Sequence, residues 1–449
     1  MYAKLTLSAA FVALAFSHNA LAADHNLSAD ILVVGAGSAG LTAAVQAAEK
    51  GKKVILLEKN LGVGGSSQFA EGLFAVGSEW NRLRSDPLTK EEAFKTLMEK
   101  HGYVIDAAKT KDYVEGSAEN ISWLAGHGIK FEVVRMTPWE AATWHVISDY
   151  KGTNHGAGLI KGLKDAADKA GVETKLGTPA TELILNKEGA VVGAKAADKK
   201  GNTYTISAKA VILATGGFGD DPQKVKNWAH RDPEGWKSSV PIGKTGDGIV
   251  MATKAGAAMG NVSFVQHLGT EGKGIKFLGN LYATSWQPSA LWVNCDGNRF
   301  SNEDVAFSFA QAANAIYAQP HHYGWSIFDD SQVQYMMKKG VDSGIGVLVP
   351  VGQKLPNLQK EIDDAVTVKS DGFKTADSVA QLAKELGVPE ANLQKAAKAL
   401  VQDYVMITPM AVVYYATFEH QETLCHQTES LFLQLLRRSE HQPQTSSSG

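Results

Sequence analysis

The chain has 449 residues, of which 44% are hydrophobic and 20% are charged, and its formal net charge at pH 7 is -3. This length allows two or three domains around a large core, while the near-neutral charge, without any lysine or arginine run, excludes a nucleic-acid-binding footprint. The two cysteines, Cys295 and Cys425, make neither a disulfide framework nor a metal knuckle, so no metal site is predicted.

The first residues have the pattern of a secretory signal peptide. Lys4 precedes an apolar run over residues 5–16, and a small-x-small cleavage pattern follows at residues 20–22. Residues 1–22 are therefore predicted to be removed, which places the mature protein in the periplasm or otherwise outside the cytoplasm. An uncleaved anchor is the alternative. No later apolar stretch is long enough to span a bilayer, so the mature chain is predicted to lack a transmembrane segment.

A strand–turn–helix–strand–acid unit comes next. In chain order its parts are a buried strand over residues 31–34, the glycines Gly35, Gly37 and Gly40, a helix over residues 41–49 and a strand over residues 54–57 that ends on Glu58. This is the context of a dinucleotide fingerprint, in which the glycine turn brings a pyrophosphate to the helix N-terminus. Glu58, about twenty residues further on, is expected to accept ribose hydroxyls. An ordinary strand–helix turn is the alternative.

Further segments in this half are predicted to meet the same cofactor. A Gly-Gly-Ser-Ser loop directly follows the ribose acid, with a plain surface loop as its alternative. An apolar strand over residues 210–214 then runs into a glycine turn, as expected of a central strand whose end faces the cofactor. Asp247 opens a helix, and on physical grounds it is equally an N-cap or an acid that accepts a flavin-side hydroxyl.

The remaining elements suggest an α/β domain followed by a second domain. Residues 89–128 and 157–170 are predicted to be helical, and short strands at 172–176, 180–185, 190–194 and 203–206 predict a small antiparallel ribbon. His145 is a candidate for acid–base work, with a packed histidine as the alternative. From residue 261 a strand at 262–267, an Asp-Gly hairpin at 291–300 and two helices within 376–400 predict a capping domain.

Together these motifs resemble the FAD-dependent fumarate reductase/succinate dehydrogenase flavoprotein family, whose soluble, exported relatives include flavocytochrome c and urocanate-type reductases. The resemblance spans residues 30–400 and includes the hairpin motif at 296–303. It implies a Rossmann-like FAD-binding domain over residues 23–260, an α+β cap over residues 261–404, and hydride transfer between flavin N5 and an activated C=C bond. The implied FAD contacts are Gly35, Ala36, Gly37, Ser38, Ala39, Gly40, Glu58, Lys59, Gly64, Gly65, Ser66, Ser67, Gly72, Ala180, Ala214, Thr215, Gly216, Gly217 and Asp247.

The resemblance weakens at the substrate residues. His267 falls near the family's first substrate-binding histidine, and Glu303 lies beside the expected active-site roof, so both are candidate catalytic residues. Their alternatives are a strand-end histidine and a carboxylate that holds the hairpin through Arg299. Phe307 stands where the family has its proton-donating arginine, and Tyr282 stands near its Thr-Glu pair. Because phenylalanine cannot relay a proton, fumarate is not predicted as the substrate.

The end of the sequence departs from the family as well. Residues 405–449 lose the family's pattern and lack its final lobe, which leaves two explanations: a shifted reading frame in the gene or assembly, or a divergent and disordered tail.

The expected function is that of an exported FAD-dependent oxidoreductase that reduces a small unsaturated substrate. The sequence contains neither a Cys-x-x-Cys-His haem motif nor a second fingerprint, so a separate electron donor such as a cytochrome is implied. The alternatives are a 3-oxosteroid-type dehydrogenase and a non-catalytic, truncated flavin-binding protein.

Overall fold

The computed structural model describes residues 23–84, 87–135, 140–148, 155–232, 241–260, 274–275, 279–344, 349–403 and 411–415. The predicted signal peptide, the predicted strand at 262–267 and most of the tail lie outside these residues. The described residues form two structural units that follow one another in sequence, an N-terminal body and a second body.

The N-terminal body is built from alternating strands and helices. They are β1 (Asp24–Val34), α1 (Ser38–Glu49), β2 (Val54–Leu57), β3 (Leu73–Phe74), α2 (Glu79–Leu83), α3 (Lys90–Lys100), α4 (Ala107–Gly126), β4 (Phe131–Val134), β5 (Trp144–Ile147), α5 (His155–Lys169), β6 (Glu173–Lys175), β7 (Ala180–Leu185), β8 (Val191–Ala197), β9 (Thr203–Leu213), α6 (Pro222–Ala229) and α7 (Asp247–Lys254). A 3-10 helix spans Gly65–Phe69.

A six-stranded sheet with the order β6-β2-β1-β9-β8-β7 forms its centre. The first four strands run parallel, while β9, β8 and β7 pair antiparallel and form the predicted ribbon. Helices α1 and α5 share a core with one face of the sheet, which includes the fully buried Val33 and Leu56. This arrangement is the predicted α/β fold, with the carboxyl ends of the parallel strands aligned at one edge.

Two strand predictions were wrong in detail. Residues 203–206 and 210–213 belong to one strand, β9, because it pairs with β1 along nearly its whole length. The strand at 173–175 is not part of the ribbon, because it pairs parallel with β2 at the sheet edge. The small sheet of order β3-β5-β4 was not predicted, since none of its strands exceeds four residues.

The second body is an α+β unit with a four-stranded sheet of order β10-β11-β13-β12. Its elements are α8 (Asn280–Ser285), β10 (Leu291–Asn294), α9 (Phe309–Tyr317), β11 (Gly324–Asp329), α10 (Asp330–Lys338), α11 (Leu358–Thr367), β12 (Phe373–Thr375), α12 (Val379–Leu386), α13 (Glu390–Asp403) and β13 (Ala411–Tyr415). The two predicted C-terminal helices are present as α12 and α13, joined at Gly387 with its φ of +67°. Strand β13 lies beyond the predicted cap boundary at residue 404. None of the described helices is long and apolar enough to cross a membrane.

The Asp-Gly hairpin is held by a buried ion pair. Val293 and Arg299 form an antiparallel bridge around a turn in which Gly297 has a φ of +75°. Glu303 is fully buried, accepts the Trp292 N–H at 3.0 Å and receives two guanidinium nitrogens of Arg299 at 2.5–3.1 Å. Since the carboxylate is bonded on both oxygens, it fixes the hairpin to β10.

We expect Glu303→Gln to destabilise the protein by about 3 kcal/mol, because the amide keeps the shape of the side chain but leaves the Arg299 charge uncompensated. Urea unfolding of the wild type and the variant measures the difference. Asp165→Asn, which removes an exposed helical pair with Lys161, is the control and should leave the midpoint unchanged. A wild-type midpoint for Glu303→Gln would show that this ion pair does not hold the hairpin.

Candidate functional site

The fingerprint turn is shaped by close backbone contacts. Gly35 has a φ of +101°, and a Cβ there would lie 2.4 Å from the carbonyl oxygen of Ala214. A Cβ on Gly40 would lie 1.8 Å from the carbonyl oxygen of Gly35. Helix α1 begins after Gly37, which has no side chain to cap the N–H groups of the first turn, and the Ser38 N–H donates to the Ser67 hydroxyl at 3.2 Å. These donors, together with the helix dipole, suit a phosphate at the turn.

Glu58 is held at the end of β2 as a pinned carboxylate. It is only 6% exposed, and its two oxygens accept the backbone N–H groups of Ala36 at 2.9 Å and Asn60 at 2.8 Å. A carboxylate oxygen can accept more than one hydrogen bond, so both oxygens retain capacity for ribose hydroxyls. The acid is thus orientated before any ligand arrives.

The second glycine loop packs directly on this turn. Gly64 has a φ of +119° and donates its N–H to the Ala36 carbonyl at 2.8 Å. The Ser67 hydroxyl accepts the Ser38 N–H at 3.2 Å and lies 2.9 Å from the Ser38 hydroxyl. The loop therefore packs on the fingerprint turn, which positions Ser66 and Ser67 beside the start of α1.

Asp247 does not cap its helix. Gly246 occupies the N-cap position of α7, while the Asp247 carboxylate accepts Lys59 Nζ at 2.7 Å and the Thr245 hydroxyl at 2.7 Å. Burial acts to raise the pKa of Asp247, but the hydrogen bonds from Lys59 and Thr245 outweigh it and the net pKa is lowered. The N-cap alternative is excluded, and the carboxylate faces the same space as Glu58.

These parts line a cleft of about 230 Å³ that is partly open to solvent. Most of the predicted cofactor residues line it, namely Gly35, Gly37, Ser38, Ala39, Glu58, Lys59, Gly65, Ser66, Ser67, Ala180, Ala214, Thr215, Gly216 and Asp247. Sequence reasoning missed a further group of lining residues: Asn60, Thr178, Pro179, Ile242, Gly243 and Lys244. They come from loops with no motif of their own, so no local signal marks them.

The other predicted contacts lie outside the lining. Ala36, Gly40 and Gly64 are buried behind the turn, where they hold its shape. Gly72 lies against β5, and a Cβ there would approach the carbonyl oxygen of residue 145 at 3.0 Å. Gly217 is exposed and accepts the N–H of residue 246 at 3.0 Å.

The described contacts do not bring the candidate catalytic residues together at the cleft. His267 lies outside the described residues, and the Glu303 carboxylate bonds Trp292 and Arg299 of the adjoining hairpin. His145 is fully buried, and its Nε2 lies 2.7 Å from the Ser78 hydroxyl. Burial lowers the pKa of His145, which favours a neutral imidazole packed in the core.

The described residues contain no group of three or more histidine, cysteine, aspartate or glutamate side chains arranged to hold a metal. The uncapped helix, the pinned carboxylate and the glycine cradle fit a dinucleotide.

The chain matches the model of the FAD binding domain family over residues 30–402. It is 34% identical over 370 residues to the vinyl phenol reductase of Lactiplantibacillus plantarum, which covers 80% of this chain and 73% of that protein. It is 31% identical over 369 residues to a probable fumarate reductase of Shewanella frigidimarina, covering 80% and 62% of the two chains. For the urocanate reductase of Eggerthella lenta the identity is 33% over 319 residues, covering 68% and 50%.

Solved structures share the fold. The open conformation of a flavocytochrome c3 fumarate reductase superposes with a TM-score of 0.62 at 27% identity, over 87% of this chain and 67% of that one. A 3-ketosteroid-Δ4-(5α)-dehydrogenase from Rhodococcus jostii gives a TM-score of 0.65 at 20% identity, over 86% and 83%.

We expect Gly40→Ala to lose the bound flavin and to destabilise the protein by at least about 2 kcal/mol, because the added methyl group overlaps the Gly35 carbonyl. Visible absorbance of the purified protein and its denaturation midpoint measure both effects. Gly62→Ala is the control, since a Cβ at Gly62 meets nothing within 4 Å. Full flavin content in Gly40→Ala would contradict the tight packing of this turn.

Proposed function

The chain belongs to the FAD binding domain family of flavoprotein oxidoreductases and uses FAD, and from this premise we propose that it reduces an activated C=C bond of a small unsaturated substrate. When bound, FAD supplies a hydride from N5. The chain's own residues would hold the cofactor: the start of α1 would face the pyrophosphate, Glu58 would accept the ribose hydroxyls, and Ser66 and Ser67 would contact the cofactor from the second glycine loop.

The observation that carries the choice of substrate is the scarcity of arginine in the cap. Residues 261–404 contain a single arginine, Arg299, and its guanidinium bonds the buried Glu303 carboxylate. Tight carboxylate binding in enzymes relies on arginine and its paired donors. Phe307, at the position of the family's proton-donating arginine, is apolar. We therefore propose a neutral aromatic alkene of the vinyl phenol type in preference to a dicarboxylate such as fumarate.

A dye-linked assay tests this proposal. The holoprotein is mixed with a reduced viologen dye and with 4-vinylphenol, urocanate or fumarate, and oxidation of the dye is followed. We expect kcat/KM for 4-vinylphenol to exceed that for fumarate by at least about 100-fold, since an unpaired substrate carboxylate is costly to desolvate. A preference for fumarate refutes the proposed substrate class. Turnover only of a 3-oxosteroid with oxidised dye identifies the dehydrogenase alternative, and no turnover at all identifies the non-catalytic one.

Reduction also needs a proton for the second carbon, and we propose Tyr282, which stands near the position of the family's Thr-Glu pair, as its source. Its side chain is fully buried in α8 of the second body, and it interacts electrostatically with Glu71, which follows the Ser66–Ser67 end of the cleft. Burial raises the pKa of Tyr282 against a hydrogen bond with Trp286 that lowers it, and the Glu71 charge raises it further, so the hydroxyl is protonated at neutral pH although it is a weaker acid than a free tyrosine. In the proposed step the Tyr282 O–H bond breaks, a C–H bond forms at the substrate, and the tyrosinate regains a proton when product release lets solvent reach it.

We expect Tyr282→Phe to lower kcat for alkene reduction by about 100-fold or more while leaving flavin content and reduction of the flavin by dye unchanged, because only the proton transfer is lost. Stopped-flow measurement of the two half-reactions separates these steps. Tyr323→Phe, which removes another buried tyrosine hydroxyl from the same domain, is the control. Alkene reduction at the wild-type rate in Tyr282→Phe would assign the proton to another group.

We also propose that the protein is exported and receives electrons from a separate protein such as a cytochrome. The signal-peptide pattern of residues 1–22 supports export, and the absence of a haem-attachment motif in this sequence supports a separate donor.

A further inference from the structure

One wall of the cofactor cleft is a short strap, residues 241–247, that faces the end of β2. Ile242, Gly243, Lys244 and Asp247 line the cleft on the strap side. Residues 58–60 line it on the opposite side and include the carboxylate that the fingerprint assigns to the ribose. The adenosine end of FAD therefore belongs between the strap and residues 58–60.

The base of the strap is fixed to the loop that follows β9. Asp220 accepts the backbone N–H groups of Ile242 at 3.0 Å and of Lys244 at 2.7 Å, and its own N–H donates to the Lys244 carbonyl at 3.0 Å. Gly246 donates its N–H to the Gly217 carbonyl at 3.0 Å. These bonds join neighbouring loops on one side of the cleft and do not cross it.

Two other contacts do cross the cleft. Lys59 Nζ donates to the Asp247 carboxylate at 2.7 Å and to the Thr245 hydroxyl at 3.0 Å. The Asn60 side-chain amide donates to the Ile242 carbonyl at 3.1 Å. Both lie at the rim, since Asn60 is exposed and the side chains of Lys59 and Asp247 are 29% and 40% exposed. Contacts of this kind are weak enough to break and reform readily in water.

We propose that the strap is a gate for the adenosine end of FAD and that Lys59 and Asn60 are the positioning residues that latch it. The side chains of Lys59 and Asn60, which directly follow the ribose acid Glu58, contact the strap on the opposite wall. The same short segment therefore orientates the ribose and closes the cleft over it. FAD enters and leaves when both latches are broken, and it is retained when both are made.

A gate and a plain binding contact have different kinetic signatures. Removing a latch lowers the barrier to opening, so the association and dissociation rate constants of FAD both rise and Kd changes less than either. Removing a side chain that only contacts bound FAD raises dissociation and leaves association unchanged. We expect Lys59→Met to raise both rate constants by about fivefold, as suits the loss of one partly exposed ion pair.

The experiment compares Lys59→Met and Asn60→Ala with the wild type. Association is followed by quenching of flavin fluorescence when FAD is mixed with the apoprotein. Dissociation is followed by diluting the holoprotein into an excess of a second apoflavoprotein that traps free FAD. Lys360→Met is the matched control, because it breaks an exposed lysine–aspartate pair with Asp364 on α11 of the second body, and neither residue lines the cleft. It should leave both rate constants unchanged.

Parallel acceleration of association and dissociation in both variants supports the gate. Faster dissociation alone shows that Lys59 and Asn60 are ordinary FAD contacts, and unchanged rate constants show that the strap does not control access; each of these results overturns the proposal. If Lys59→Met fails to fold, Asn60→Ala decides the matter, because its side chain is exposed and its backbone bond to Glu58 is retained. None of these readouts depends on the substrate or on catalytic turnover.

Discussion

The structure depends above all on how closely three pieces of backbone approach one another at the cofactor turn. Gly35 packs against the end of β9 at Ala214, and Gly40 packs against Gly35, at distances that no Cβ atom could tolerate. The Ala214 N–H also donates to the Val34 carbonyl at 2.7 Å, which ties the two strand ends together. Because these contacts are made by the protein alone, the turn and the first donors of α1 are set before FAD binds, and little ordering free energy is lost on binding.

Buried carboxylates then organise the two bodies locally. Glu58, Glu303 and Glu361 are each at most 6% exposed, and each accepts a backbone N–H from a neighbouring segment. Burying a charge is costly unless it is well bonded, so such residues fix the segments that satisfy them. In the second body this use of charge has a functional consequence. The Arg299 guanidinium, a group suited to binding a carboxylate, bonds Glu303 and so holds the hairpin.

Sequence patterns identified the parts that local chemistry specifies. The fingerprint, the strand β2 with its terminal acid, the helices around Gly387 and the ribbon all follow from spacing or periodicity within a short segment. The pairing of β6 with β2 and the cleft wall at residues 178–179 and 242–244 could not be found this way, because they depend on contacts between distant residues. The bond between Asn60 and Ile242 joins positions 182 residues apart, and neither residue belongs to a motif. The sequence also could not decide whether Asp247 is an N-cap or a ligand. The decision depends on its contact with Lys59, which only the fold brings about.

The contacts that cross the cofactor cleft differ in kind from the contacts that join the two bodies. At the adenosine end the cross-cleft contacts are polar and partly exposed, and they join loops of a single body. Between the two bodies, Glu71 interacts electrostatically with the buried Tyr282, and the Arg231 guanidinium lies 4.6 Å from the centre of the Tyr317 ring. A cation–π contact between half-buried side chains is held at least as strongly as a rim ion pair. The proposed gate and the contacts between the two bodies therefore use separate sets of side chains, so breaking one set leaves the other intact.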